Sequence, residues 1–394
     1  MRRAALAPPA LVLTALVATS SAARAEPYRL RVDAVGYSQS PQSPVGLIVV
    51  QGEDRSRPWI DTEALVWAGN GTNGADALVM MVRVHDPQKW GELRLGRQFL
   101  TAGAVRPVHL DGADARVRLP TGTTVQVFGG VPVAPQLAYN AYDWVSGARL
   151  GQNIGRDTTT GVSYLQRRDA GRLAFEEVGF DFASTPTRWF DLATRGAWDL
   201  VNPGLTEAST SIAGRFGNLR PEIYASHRSP SRLLPATSLF SALGDTPSEV
   251  IGAAVPWRLY PRLDLLPTAG ARIVGTEVGL DATLRTTLRV DDRGEGALML
   301  EVRRQDSMPE RWTGVRVGAR VPVTARLRAS TELEIVAPDD PRGRGTVWPW
   351  ALVAMRYSPG DKWEIAGAVE SASTPKNAFE LNAMLRLSRT WGSP

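Results

Sequence analysis

The chain has 394 residues, 43% of them hydrophobic and 22% charged, and contains no cysteine. That excludes a disulfide framework, a thiolate metal centre, a cysteine nucleophile and a lipid-anchored N-terminal cysteine. The formal charge of +5 includes Arg2, Arg3 and Arg24; without them 42 basic residues stand against 40 acidic ones, too even a balance to argue for a nucleic-acid partner.

The chain opens with Met1-Arg2-Arg3, an apolar run from Ala4 to Ala18, and Ala23-Arg24-Ala25 ahead of Glu26. A basic start, a short apolar stretch and small residues at −3 and −1 read as a secretory signal peptide over residues 1–25. The apolar run is too short to span a bilayer as a helix. The protein is therefore expected to leave the cytoplasm of a Gram-negative-type bacterium, with residues 26–394 forming one domain.

From Glu26 onward, side-chain alternation with period two dominates and helical periodicity is scarce. Residues 129–155, rich in proline and glycine, read as a long loop or one folded inward. The alternation slips by one at Glu176-Glu177, the mark of a β-bulge. After Arg188, the residues Phe190, Leu192, Trp198 and Leu200 oppose Asp191, Arg195 and Asp199. Leu280, Ala282, Leu284, Leu288 and Val290 oppose Asp281, Thr283, Arg285, Thr287 and Arg289. Further strands start near Ala297 and Thr313. Leu327, Ala329, Leu333 and Ile335 then oppose Arg326, Arg328, Ser330, Glu332 and Glu334. In the last segment Phe379, Leu381, Ala383, Leu385, Leu387 and Trp391 share a face broken only by Arg389. Tight turns at 119–122, 260–262, 321–323 and 358–361 use proline and glycine, and longer polar loops such as 337–345 and 371–378 alternate with them.

A soluble sandwich also alternates, so three further features decide the fold class. Many segments run nine to thirteen residues, enough to cross a bilayer at a tilt, whereas strands of soluble folds average about five to six. Aromatic rings sit at segment ends, at Trp189, Trp198, Trp257, Trp312, Trp348, Trp350, Tyr357, Trp363, Phe379 and Trp391, which predicts girdles at the headgroup level. The polar faces carry arginine and carboxylate, as a watery or salt-bridged interior permits. Lipid satisfies no backbone hydrogen bonds, so such a sheet must close on itself. The expectation is an all-β, transmembrane up-and-down antiparallel barrel of about 18 strands, within a range of roughly 16 to 22.

The stretch Gly91-Glu92-Leu93-Arg94-Leu95-Gly96-Arg97-Gln98-Phe99, followed by His109-Leu110-Asp111-Gly112-Ala113 and Val127-Phe128-Gly129-Gly130, resembles a strand–loop–strand pattern of bacterial porin-like and alginate-export-like outer-membrane barrels. The resemblance covers about forty residues, with Arg94, Gly96, Arg97, Gln98, Asp111 and Gly112 as its motif positions. It implies contact with outer-membrane lipid and with the outer-membrane assembly machinery, and a homo-oligomer by analogy with porins. Barrels of this class usually end on an aromatic residue, whereas here Trp391 is followed by Gly392-Ser393-Pro394.

No phosphate-binding loop, H-E-x-x-H or G-x-S-x-G occurs. Ser373-Thr374-Pro375-Lys376 has the spacing of a serine–lysine pair but contains a proline where a helix is needed. His85, His109 and His227 are far apart, so no metal is expected. The acidic pairs Glu176-Glu177, Asp291-Asp292 and Asp339-Asp340 read as a bulge, a turn and a loop. The informative constellation is the polar face: Arg285, Arg289, Arg303, Arg316, Arg320, Arg326, Arg328 and Arg386, with Glu301, Glu332, Glu334, Glu364, Glu370 and Glu380. Such residues can line a pore as transverse charge ladders that set ion preference. Eight arginines against six glutamates hint at a slight anion preference. The sequence thus points to a channel for passive diffusion of small hydrophilic solutes, filtered by size and by lumenal Arg and Glu, with no enzymatic step and no cofactor. The alternatives are a filled-lumen barrel with a structural or surface-interaction role, and a soluble exported all-β carbohydrate-active enzyme.

Overall fold

A computed structural model describes residues 28–39, 44–70, 74–133, 142–233, 247–306, 311–341, 346–373 and 379–392. The signal segment, most of the Ser373–Lys376 motif and the last two residues lie outside them.

The first half contributes β1 (Tyr28–Gln39), β2 (Val45–Arg57), β3 (Ile60–Gly69), β4 (Ala75–His85), β5 (Gly91–Leu100), β6 (Val108–Arg118), β7 (Thr123–Pro132), β8 (Tyr142–Ile154), β9 (Thr158–Asp169), β10 (Arg172–Thr187), β11 (Phe190–Asp199) and β12 (Gly204–Gly214). The second half contributes β13 (Glu222–Arg228), β14 (Ser248–Ala254), β15 (Trp257–Tyr260), β16 (Leu263–Val274), β17 (Glu277–Arg289), β18 (Ala297–Gln305), β19 (Trp312–Pro322), β20 (Leu327–Pro338), β21 (Trp348–Gly360), β22 (Trp363–Ala372) and β23 (Glu380–Gly392). A 3-10 turn, Pro230–Leu233, follows β13.

Every pairing is antiparallel and, apart from β14 with β16, joins strands adjacent in sequence until β23 pairs with β1 from Arg29↔Gly392 to Gln39↔Asn382, which closes the sheet. No edge remains to need a hydrogen-bond partner. β14 and β15 pair in succession with the same partner, β16, and count as one wall strand. The break falls at Pro256, which has no N–H to give a ladder. The wall therefore has 22 strands rather than the expected 18. Residues 129–155, expected as a loop, contribute to the wall instead: β7 and β8 pair from Thr123↔Gln152 to Gly130↔Val145. The inward loop expected there is not found among the described residues; 134–141 lie outside them. At ~4.8 Å between strands and a ~40° tilt, 22 strands enclose roughly 40 Å.

Short turns such as Pro58-Trp59, Arg188-Trp189 and Asp361-Lys362 lie at the same end as the start of β1 and the end of β23. We call it the turn end, and the opposite one the loop end. Close to the expected slip at Glu176-Glu177, the β9–β10 register shifts between Leu173 and Phe175. Glu176 then turns outward, accepting a hydrogen bond from the Tyr164 hydroxyl, and Glu177 turns inward.

The faces are inverted relative to a soluble core. Val278, Leu280 and Leu385 on the outer face are 64%, 64% and 61% exposed, while Glu301 on the inner face is 1% exposed. Apolar side chains stand outward along almost every strand, as lipid contact requires.

Candidate functional site: the barrel interior

The register carries one inner face around the wall. Asp181 faces Arg195 and Arg195 faces Ser209; further round, Arg285, Glu301, Arg316, Glu334 and Trp350 face one another in succession on β17 to β21. That row of alternating charge is a transverse ladder. Arg285 bonds Glu301 at 2.5 Å, Arg303 reaches Glu301 at 3.1 Å and also binds Glu334, and Arg316 binds Glu332. Arg289 binds Asp264, and Arg356 and Arg386 share Glu364. Arg328 lies 3.2 Å from Glu295, and Arg320 donates to the carbonyls of Glu295 and Gly294. Glu370 accepts from the Trp350 indole N–H at 2.7 Å, and Glu380 heads β23. Arg326 does not lie on a strand. It sits in the turn before β20, where its N–H is capped by the Thr324 hydroxyl.

The aromatic positions divide. Trp189, Trp257, Tyr357, Trp363 and Trp391 gather at the turn end, and Trp198 and Phe379 stand exposed near the loop end. Arg389, the one break in the apolar face of β23, lies over the rings of both Trp363 and Trp391, at 4.8 and 4.6 Å. Trp312, Trp348 and Trp350 correct the expectation of a girdle. They fall on the inner face, where Arg303 lies over Trp312 at 5.2 Å and Arg316 over Trp350 at 5.4 Å. Strand-end position alone does not tell lipid from lumen; parity within the strand does.

The motif positions explain one another through the β5–β6 register. Gly96 faces Gly112, Arg97 faces Asp111 and Gln98 faces Leu110. Gly96 has φ +118°, and a Cβ there would overlap the Met80 carbonyl. Arg97 grips Asp111 with two hydrogen bonds of 2.8 Å and reaches Asp76 at 2.8 Å, all on the outer face beside a stacked Phe99–His109 pair. Arg94 pairs with Glu92, and Gln98 is buried on the inner face.

The connector of residues 101–107, between β5 and β6, turns into the barrel. Ala102 and Val105 join Leu100, Val108, Leu110, Phe128, Val145, Leu165, Ala174 and Phe175 in a buried apolar cluster. Gly103 has φ +62°, and a Cβ on it would lie 2.5 Å from Asp181 Oδ1 and 2.9 Å from Arg149 Nε, so only glycine fits the turn against the wall. Arg106 clamps the connector. Its guanidinium binds the fully buried Glu177 at 2.5 Å, lies 4.2 Å over Phe175 and donates to the Arg232 carbonyl in the 3-10 turn. A charge-assisted pair with an aromatic face beneath it is a rigid attachment. The sequence held a signal for this: Ala102, Ala104 and Val105 make an unusually apolar connector. Among the described residues no cluster of three or more His, Cys, Asp or Glu could hold a metal.

No family model matches the chain, and no curated protein resembles it in sequence. Solved structures resemble its fold. The siderophore receptor PirA from Pseudomonas aeruginosa aligns with a TM-score of 0.63 and 9% identity over 93% of this chain and 81% of that one. The ferric enterobactin receptor PfeA from Pseudomonas aeruginosa aligns at 0.62 and 6% over the same shares. The translocation pore of the P pilus usher PapC aligns at 0.51 and 7%, over 93% of this chain and all of that one. The chain thus shares with these structures the fold of a closed antiparallel β-barrel.

Proposed function

We propose that the protein is an outer-membrane channel through which small hydrophilic solutes diffuse passively, filtered by size and by the arginines and glutamates of the inner wall. One observation carries this reading. Ion pairs of β16 to β23 run sideways along the wall, between elements one or two strands apart, and the connector of residues 101–107 is held against β8 to β10 on the other side. Both arrangements keep these side chains at the wall, which supports a water-filled interior. Large barrels use such an interior as an aqueous channel. Outer-membrane lipid would meet the apolar outer face and the aromatic ends, and the assembly machinery would insert the barrel.

Two measurements test this in sequence. The purified protein should migrate faster on SDS gels unheated than boiled, because a closed barrel resists SDS until heated. In a planar bilayer it should then give stable conductance steps. A heat-modifiable band with no conductance would favour the filled-lumen alternative, and a protein that fractionates without detergent would overturn the membrane reading.

A further inference from the structure

Between the packed side and the salt-bridged side, the inner face of β10 to β13 forms a recess of about 440 Å³. Register explains its depth. Ala183, Ala193, Ser211 and Tyr224 face one another in succession, and Gly252 follows on β14. The next row toward the loop end is Asp181, Arg195, Ser209 and Ser226. Small side chains hollow the wall, and Tyr224 is the aromatic residue of these rows. A Cβ on Gly252 would lie 2.7 Å from the Tyr224 Oη and 2.8 Å from its Cζ, so the ring is laid across β14 instead of standing into the lumen. Glu222, two residues before Tyr224, lines the recess on its turn-end side.

The recess is rich in groups that are free to bond a solute. The hydroxyls of Ser209, Ser211, Ser226 and Tyr224 make no hydrogen bond among the described residues, and Glu222 makes no ion pair among them. The other charges are met. Arg149 holds Asp181 at 2.6 Å, and Arg195 lies 3.1 Å from Glu207. Just beyond the edges Arg215 holds Asp191 at 2.5 Å, Arg228 faces Glu207, and Arg220 stands two residues before Glu222. Positive and negative groups thus nearly balance, and a solute gains little here by carrying charge.

Resting on the channel reading above, we infer that this recess is a binding subsite for a neutral pyranose, a sugar ring that passes along the lumen. A pyranose has an apolar face of C–H bonds and a rim of hydroxyls. The Tyr224 ring supplies a flat apolar surface for the face. For the rim, the serine hydroxyls both donate and accept, the Glu222 carboxylate accepts, and the half-exposed Arg195 guanidinium donates. A cleft of this size, with a few polar groups converging on an aromatic surface, has the form of a small-molecule site.

The test is binding of glucose and of glucuronate, which share a ring and differ in charge, to the purified protein in detergent micelles, read as a Kd by saturation-transfer NMR. Glucose should bind equally at 0.01 M and 1 M salt, where the screening length is about 30 Å and about 3 Å, and glucuronate should bind no more tightly. Variants are compared once each shows the heat-modifiable band of the parent. Tyr224→Ala should weaken glucose binding about three-fold or more, and Tyr224→Phe, which keeps the ring, should retain most of it. Ser211→Leu, which fills the recess from the neighbouring strand, should abolish it. Absence of glucose binding, or binding that Tyr224→Ala and Ser211→Leu leave unchanged, would overturn the inference, while conductance steps in a planar bilayer would still support the channel. Tighter binding of glucuronate, or a glucose Kd that rises with salt, would also overturn it, because the recess would then read charge. Glucose binding that follows the expected pattern in a protein without conductance would keep the recess as a sugar site and remove the channel reading.

Discussion

The two sides of the barrel are built on opposite principles. Between β5 and β10 the inner face is packed: the connector of residues 101–107 folds in, and the buried apolar cluster lies entirely between Leu100 and Phe175. Between β16 and β23 the inner face carries charge, and its arginines and carboxylates meet one another along the wall. A leucine therefore has two fates. Leu165 is fully buried inside, and Leu385 stands 61% exposed outside. Packing by shape holds one side, and pairing of charges shapes the other. The packed side is accordingly expected to set stability and the charged side to set conduction.

The largest expected effect is at the clamp. Glu177→Ala leaves the Arg106 guanidinium without its buried partner, a loss of about 3–5 kcal/mol for a broken buried pair. The folded band on semi-native gels should melt at lower temperature, and a protease of broad specificity should cut at residues 101–107. An unchanged melting temperature would contradict the packed-side account.

Next come paired substitutions of leucine. Leu165→Ala should cost about 2–5 kcal/mol through the cavity it leaves. Leu385→Ala, facing lipid, should cost much less, whereas Leu385→Arg should cost about 2–4 kcal/mol if the site lies near the bilayer midplane. Denaturant midpoints in lipid vesicles decide all three, and equal losses for the two alanine variants would erase the distinction between faces.

On the charged side, Arg316→Gln should change stability by no more than about 1 kcal/mol, since half-open ion pairs contribute little. It should nonetheless shift the cation-to-anion permeability ratio toward cations, read from the reversal potential in a salt gradient. A stability loss comparable to that of Glu177→Ala would show that this side is also held by its ion pairs.

The smallest effect is expected in the turn between β17 and β18. Burial pushes the Asp291 carboxyl up, but backbone N–H groups of the turn, among them those of Glu295 (3.0 Å) and Gly296, hold it below the usual carboxylate range. A carboxyl lowered by folding adds stability above its unfolded pKa, and that stability is lost as pH falls through the folded value. Asp291→Asn should therefore lower the melting temperature slightly at neutral pH and converge with the parent protein in acid. A gap that widened in acid would reverse the sign of this reading.

Much of the fold was legible because strand parity is written residue by residue. The alternation over 280–290, 325–335 and 379–391 located the apolar outer face, and together with the segments that start near Ala297 and Thr313 it marked Arg285, Glu301, Arg316 and Glu334 as polar. What could not be read was anything that depends on register. The pairing of Arg328 with Arg356, and of Glu332 with Glu370 through Leu352, needs strands placed side by side. Trp312 and Trp350 were placed with the lipid-facing rings because position along a strand is visible in the sequence, whereas the side on which a ring at a strand end emerges depends on where pairing begins. Residues 129–155 were taken as a loop because their glycines and prolines weaken the strand signal, yet Gly112 and Gly130 face each other in the β6–β7 ladder.

The sequence by itself determined a β-sheet with an apolar outside and a charged inside, since period-two alternation over long segments gives each strand one apolar and one polar face. Only the tertiary structure decided the number of strands, the inward course of residues 101–107 and the ladder of alternating charge across β17 to β20. These follow from contacts between segments far apart in the chain, from Arg106 on Glu177 to the closure of β23 on β1, and such contacts have no local signature.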